Sequence, residues 1–303
     1  MHSFSPQKRF RPLFRATVFL GAALALMMVF AACGNSTPTT TTTTQKAAIT
    51  APTDLIAAGT LTVGSDTTYP PQEFVDTTTG QATGFDIDLI TKMAASMGLK
   101  VNIVKADFST IIDSLNAKRY DVVISAMTIN PDRQKQVDFV PYFSAGESLL
   151  VPKGNPKHLT SINDACGLKI GVQSGTVEQD DANAASSACT KAGKPAITIT
   201  PLQDQTAVVQ LLVQGRVDAT YQDSPVTDYY NSLNPGQFEV GGSVVNAAPE
   251  GIVVRKNDKS MFDAIQASFN LMKSNGTYDQ LFSQWHLSDS QKVSDVRPNR
   301  DVA

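Results

Sequence analysis

The hexapeptide Gly171-Val172-Gln173-Ser174-Gly175-Thr176 follows an apolar run and leads into a helical pattern. A strand-to-helix turn of this kind presents unpaired N–H groups and the positive end of a helix dipole, which suit a carboxylate or a phosphate. The same pattern also serves as an ordinary connecting turn. Arg133 offers a planar fork of donors matched to a carboxylate, and by spacing alone it reads as well as a surface ion-pair residue. Asp223, just ahead of Pro225, reads either as the partner of a cation or as a helix N-cap. Tyr69 and Phe108 on their own read as core aromatics. Bond-making chemistry is missing: there is no nucleophile elbow, phosphate loop, dinucleotide glycine pattern or metal-ligand spacing. Three Cys and three scattered His make no zinc framework, so neither metal nor cofactor is expected.

The elements that position these residues alternate strand and helix, twice. Leu61–Gly64 reads as a strand, and Asp86–Met97 as a helix with Ile87, Ile90, Ala94 and Met97 on one face. Val101–Val104 is a strand, Thr110–Lys118 a helix and Val122–Ile124 a buried strand. Asn130-Pro131 then opens a further helix, with Asn as cap and Pro at the first position. A second set follows: strands at 149–151, 168–172, 197–199 and 217–221, with a helix at 204–214. The segments 114–122 and 211–219 echo one another, each a helix end, a basic residue and an Asp that starts a strand. A strand at 252–254 and helices at 260–274 and 278–285 return to the first set. This pattern predicts an α/β fold of two lobes, each a mainly parallel sheet with covering helices. The expected lobe 1 is 51–146 with 248–287, lobe 2 is 147–247, and 288–303 is a polar tail. Crossings near Gly146 and Ala247 form the hinge, and a cleft lies between the carboxyl ends of the strands.

The charge balance narrows the partners. The chain has 25 Lys and Arg against 28 Asp and Glu, and the first 32 residues hold Lys8, Arg9, Arg11 and Arg15 with no acid. Without them the balance is 25 − 4 = 21 against 28, or −7, which disfavours a nucleic-acid partner. Ala16–Ala32 is uncharged and apolar, so residues 1–32 read as an export signal, with an uncleaved signal anchor as the other reading. Phe30-Ala31-Ala32-Cys33-Gly34 resembles a lipobox in which Cys33 is lipidated, with Phe30 where Leu is commonest. Residues 33–50, with Thr39–Thr44 unbroken, form a polar tether. In an exported protein Cys166 and Cys189, 23 positions apart, are expected to pair, the other reading being two buried thiols.

Six segments then carry a resemblance. Tyr69-Pro70-Pro71 with Glu73-Phe74 comes first, then Gly84-Phe85-Asp86-Ile87-Asp88-Leu89. Tyr120–Thr128 follows, with Pro131-Asp132-Arg133 and Val137-Asp138-Phe139. Next come Gly171–Thr176 and Tyr221-Gln222-Asp223, and Gly276-Thr277-Tyr278 with Trp285 closes the series. In this order, from about residue 53 to 287, they resemble the family 3 extracellular solute-binding proteins, receptors of polar amino-acid ABC importers. The resemblance implies a type II periplasmic-binding fold and no catalysis.

It also implies roles. Arg133 grips the ligand α-carboxylate, helped by Thr128, the backbone at Ser125-Ala126 and Thr176; where relatives often carry a second hydroxyl this chain has Ala126, so its N–H must serve. Asp223 receives the α-ammonium from the other lobe, so a zwitterion favours closure. Tyr69 and Phe108 sandwich the ligand side chain, and Asp66 and Glu178 lean the choice toward arginine, lysine or ornithine. The implied partners are the amino acid, ABC permease subunits and the membrane through the N-terminal lipid. The implied body is a monomer on the outer face of the membrane or in a periplasm. A same-fold dehydratase of the cyclohexadienyl or arogenate type, and a sensor docking a membrane partner, are the competing readings.

Overall fold

The computed structural model describes residues 47–294. The signal, the lipidation at Cys33, most of the tether and the end of the tail lie outside the described residues.

In chain order the first elements are β1 (Thr60–Ser65), β2 (Thr68–Tyr69), β3 (Glu73–Val75), β4 (Ala82–Thr83), α1 (Phe85–Ser96), β5 (Lys100–Lys105), α2 (Ile111–Asn116), β6 (Val122–Val123), α3 (Pro131–Gln134) and β7 (Val137–Pro152). Then come β8 (Lys169–Gln173), α4 (Val177–Lys191), β9 (Thr198–Leu202), α5 (Gln205–Val213), β10 (Ala219–Asp223), α6 (Ser224–Leu233), β11 (Phe238–Arg255), α7 (Lys259–Ser274) and α8 (Thr277–Gln284). One sheet runs β5-β1-β6-β11-β7-β10-β8-β9, and β2-β3-β4 form a small second sheet. Its outer strands are parallel, β5 with β1 with β6 on one side and β10 with β8 with β9 on the other. The two central strands, β7 and β11, are antiparallel to each other and to their flanking strands.

These two strands are much longer than the sequence suggested. The run expected at 149–151 is the end of a 16-residue strand, and that at 252–254 the end of an 18-residue one. Pro141 and Gly146 in β7, and Gly241, Gly242 and Pro249 in β11, break the apolar pattern, so each strand reads as short pieces. The expected crossings at Gly146 and Ala247 fall inside these strands.

Strand alternation builds a core on each face of the sheet. Val122, Ile252 and Val254 join Leu61, Phe85, Ile90 and Phe282 on one face, while Val123 and Val253 join Ile111, Tyr120 and Phe139 on the other. Beyond the middle of β7, Leu149 and Val151 pack with Val172, Ala182 and Tyr221, and Leu150 packs with Val209, Leu212 and Phe238. Strands covered on both faces are uniformly apolar, which is why they read as plain apolar runs.

Asn130 caps α3 as expected, its side chain accepting the Arg133 N–H. Helix α4 was foreseen only at its start. Its buried face is Glu178, Ala182, Ala185 and Cys189, and an acid with small residues gives little apolar signal. The disulfide Cys166–Cys189 ties the last turn of α4 to the loop before β8. Closing a loop of 23 positions stabilises by about 3 kcal/mol in the chain-entropy model. Reduction should therefore lower the melting temperature by about 6–12 °C for a body of this size, read by calorimetry with and without reductant. An unchanged melting temperature would show that the bridge carries no stability. Among the described residues no helix is long and apolar enough to cross a membrane.

Candidate ligand-binding site

Most of the predicted side chains sit at or just after the carboxyl end of a strand, while Arg133 stands on α3 and Glu178 in the first turn of α4. Asp66–Tyr69 follow β1, Phe108 follows β5, Ser125–Thr128 follow β6, Gln173 ends β8 with Thr176 three residues on as the cap of α4, and Asp223 ends β10. Strand ends from both halves of the sheet thus converge, as open α/β sheets place their ligands. Tyr69, Phe108, Ser125, Ala126, Thr128, Arg133, Gln173, Thr176, Val177, Glu178 and Asp223 line one cavity of about 240 Å³, its open mouth included.

Nine of the ten expected residues are therefore in the wall. The tenth, Asp66, lies behind it, where Gln173 Nε2 donates to its Oδ2 and also to the Gln203 carbonyl at 2.7 Å. Sequence reasoning had the hexapeptide containing Gln173 but not its direction. A buried side chain at the end of a strand gives no signal of which face it takes. Val177, the first residue of α4, was missed for the same reason.

Two donors differ from expectation. Ala126 has φ +42°, in the left-handed region. Its N–H turns into the fold, toward Asp86 Oδ2 at 3.1 Å and Tyr142 OH at 3.2 Å. It is not directed at the cavity. The Thr176 hydroxyl caps α4 by accepting the Gln179 N–H at 3.2 Å, and donates to the Gln173 carbonyl. Ser125 Oγ is likewise committed, donating to Glu73 Oε1 at 2.8 Å and accepting the Asp66 N–H.

The charged pair spans the cavity. Arg133 is 9% exposed; Nη1 donates to the Thr128 carbonyl at 2.7 Å and Nη2 to the Gly175 carbonyl at 3.1 Å. Its guanidinium lies 5.4 Å from the Phe108 ring centroid. Tyr69 OH donates to Asp223 Oδ2 at 2.9 Å and accepts the Asp223 N–H at 3.0 Å. Around them, the Gln205 N–H donates to Thr68 Oγ1, Ser109 Oγ to Gln203, and Lys105 pairs with Asp204 at 3.3 Å. Gly175, at φ +83°, makes the approach possible, since a Cβ there would sit 2.7 Å from Ser109 Cα.

Acid outweighs base in this setting. Burial pushes Asp223 up to about 6, against the Tyr69 hydrogen bond and the Arg133 charge. Burial, with Asp223 and Glu147 as neighbours, raises Glu178 well above its ordinary value, and Glu178 Oε1 has no hydrogen-bond partner. Burial also lifts Asp66 to about 6, opposed by the Gln173 and Thr68 hydrogen bonds. Burial lowers the Arg133 pKa while Glu178 and Asp223 raise it. The cavity wall thus holds one guanidinium, Arg133, with the two buried carboxyls of Asp223 and Glu178, and a third, Asp66, lies behind it. Among the described residues no His, Cys, Asp or Glu group could hold a metal ion.

Residues 61–288 match the model of the bacterial extracellular solute-binding proteins, family 3. The arginine-binding protein ArgT of Corynebacterium glutamicum is 33% identical over 239 residues, 78% of each chain. The L-cystine-binding protein TcyJ of Escherichia coli is 29% identical over 236 residues, 77% of this chain and 85% of that one. The structure of an ancestral arginine-binding protein bound to arginine superposes with a TM-score of 0.69 at 37% identity, over 75% of this chain and 98% of that one. The fold is that of the type II periplasmic binding proteins. The names of these relatives are those of binding proteins for amino acids. By family match, identity and fold, the chain belongs to the bacterial extracellular solute-binding proteins, family 3.

Proposed function

We propose that this protein is the extracytoplasmic receptor of an ABC importer for an L-amino acid with a cationic side chain: arginine, lysine or ornithine. Arg133 takes the α-carboxylate and Asp223 the α-ammonium, while Tyr69 and Phe108 flank the side chain and Glu178 and Asp66 draw its charge. The observation that carries this reading is that Arg133 and Asp223 line one cavity from the two halves of the sheet, with Glu178 in the same wall. A ligand held at both ends favours the closed arrangement, because only closure makes both contacts. Lobe 1 is 51–146 with 248–287 and lobe 2 is 147–247. Lipid on Cys33 and the Thr-rich tether hold the body, a monomer, at the outer face of the membrane or in a periplasm, within reach of the permease. The arginine-binding relatives favour the cationic side chain; the cystine-binding relative marks the alternative within the same scaffold.

A thermal-shift panel of the twenty amino acids with ornithine, citrulline and cystine tests the reading. A ligand at a thousand times its dissociation constant stabilises by about 4 kcal/mol, a rise of several degrees. A shift confined to arginine, lysine and ornithine is expected. A shift with cystine or glutamine alone would keep the receptor and remove the cationic preference.

The acids also fix a pH dependence. Asp223 and Asp66 stand near 6 in the native state against an ordinary value of 3.8, so the folded protein holds protons that the unfolded chain has released. Their contribution to the stability of the free protein is full below about 4 and is lost as pH rises through about 6. A cationic ligand favours the ionised carboxylates, so its affinity should move the other way, tightening between pH 5 and 7. Calorimetric titrations across that range check both signs, and an affinity that weakened with rising pH would contradict the assignment.

A further inference from the structure

β7 and β11 run side by side between the two halves, and their pairing shifts register three times, twice within 241–248 and once between Glu250 and Gly251. Gly241 faces Leu149, Val245 faces Glu147 and Ala248 faces Ala145, so β11 carries two extra residues over the first step and one over the second. Asn246, at φ +51°, sits in the second bulge. Its Nδ2 donates to Glu147 Oε1 on β7 at 3.3 Å and to Asp181 Oδ2 on α4 at 2.9 Å. The buried Tyr221 OH donates to Glu147 Oε2. The strands meet so closely that a Cβ on Gly146 would lie 2.6 Å from the Val245 carbonyl oxygen. Ligand capture as described above uses none of Glu147, Asn246 and Asp181.

We infer that Glu147, Asn246 and Asp181 form a proton-sensitive latch on the hinge. With Glu147 ionised, Asn246 is drawn to two carboxylates and pins the β11 bulge to β7 and α4. Protonation of Glu147 weakens one of the two holds and frees the bulge. The inference rests on the reading of these two strands as the lobe connections. The titratable groups facing Glu147 are Tyr221 and Asp223 from β10, with Asp223 directly opposite in the ladder, and Asp181 and Glu178 from α4. No Lys, Arg or His is among them. From β11 it meets Asn246, whose strand carries its acids elsewhere: Glu239 on Lys153 and Glu250 on Gln72. Helix α6 reaches β7 where Ser148 Oγ donates to Thr227, and its Asp228 lines a separate groove with Trp285. Burial pushes Glu147 up to about 7, the Tyr221 and Asn246 hydrogen bonds opposing it and Asp181 and Asp223 adding to it. Since this lies above the ordinary 4.5, the latch is charged above about pH 7 and discharges below.

Hydrogen–deuterium exchange on the full chain without added ligand tests the latch, following the amides of 241–248 between pH 6 and 8.5 after correction for intrinsic rates. The native protein should gain protection severalfold with a midpoint near pH 7. Glu147→Gln should give a flat profile near 7 at the low-pH level, and Asn246→Ala should stay poorly protected throughout while melting cooperatively. A native profile with no step, or a step that survives in Glu147→Gln, would overturn the inference. If Glu147→Gln does not fold, a step that persists in Asn246→Ala overturns it equally. No ligand enters this experiment, so its outcome is independent of whether arginine binds.

Discussion

Arg133→Ala should abolish measurable amino-acid binding while the protein still melts cooperatively. Truncating one partner of a buried, hydrogen-bonded charge pair costs about 2–5 kcal/mol, or roughly thirty- to several-thousand-fold in affinity. The upper part of that range is expected because Asp223 and Glu178 are left with no basic group among the described residues of the cavity wall. The fold should survive. Arg133 stands on a four-residue helix whose cap, Asn130, uses the backbone and not the guanidinium. Its side chain donates to two carbonyls, lies over the face of Phe108 and is in no salt bridge among the described residues. Titration calorimetry together with a melting curve separates the two effects. A variant that bound within a few-fold of the native protein would show that the carboxylate is held elsewhere.

Asp223→Asn should split affinity from stability. The substitution keeps the shape and leaves an acceptor for the Tyr69 hydroxyl, but removes the charge that draws an ammonium. A hydrogen bond to a charged group is worth about 1.5–3 kcal/mol, so affinity should fall about ten- to 150-fold. At neutral pH the free protein should melt no lower than the native one, because an acid raised by burial opposes folding there. Glu178, which Asp223 helps to raise, should ionise more readily in the variant. A clear loss of melting temperature with unchanged affinity would instead give Asp223 a purely structural role.

These residues show how far the sequence was legible. The strand-and-helix alternation, the Asn130-Pro131 cap and the strand ends that carry Ser125, Thr176 and Asp223 follow from periodicity and turn chemistry. The six ordered motifs supplied Arg133 and Asp223, which spacing alone left as an ion-pair residue and a helix cap. Lost were features set by tertiary approach. The full lengths of β7 and β11 were hidden by Pro and Gly that the paired strands tolerate. The inward turn of the Ala126 N–H depends on Asp86, 40 residues away. Asp66 was placed beside the pocket, but its contact runs through Gln173, 107 residues along the chain, and no local pattern encodes that partnership.

The central claim is that one zwitterionic head group is gripped at both ends, its carboxylate by Arg133 and its ammonium by Asp223. Titration calorimetry with L-arginine and with agmatine, which keeps the guanidinium and lacks the α-carboxylate, tests it most directly. The account predicts saturable one-to-one binding of arginine and a loss of at least a hundredfold for agmatine, about 2.7 kcal/mol. Equal affinity for the two would contradict it, because the side chain alone would then hold the ligand and Arg133 would have no carboxylate to grip.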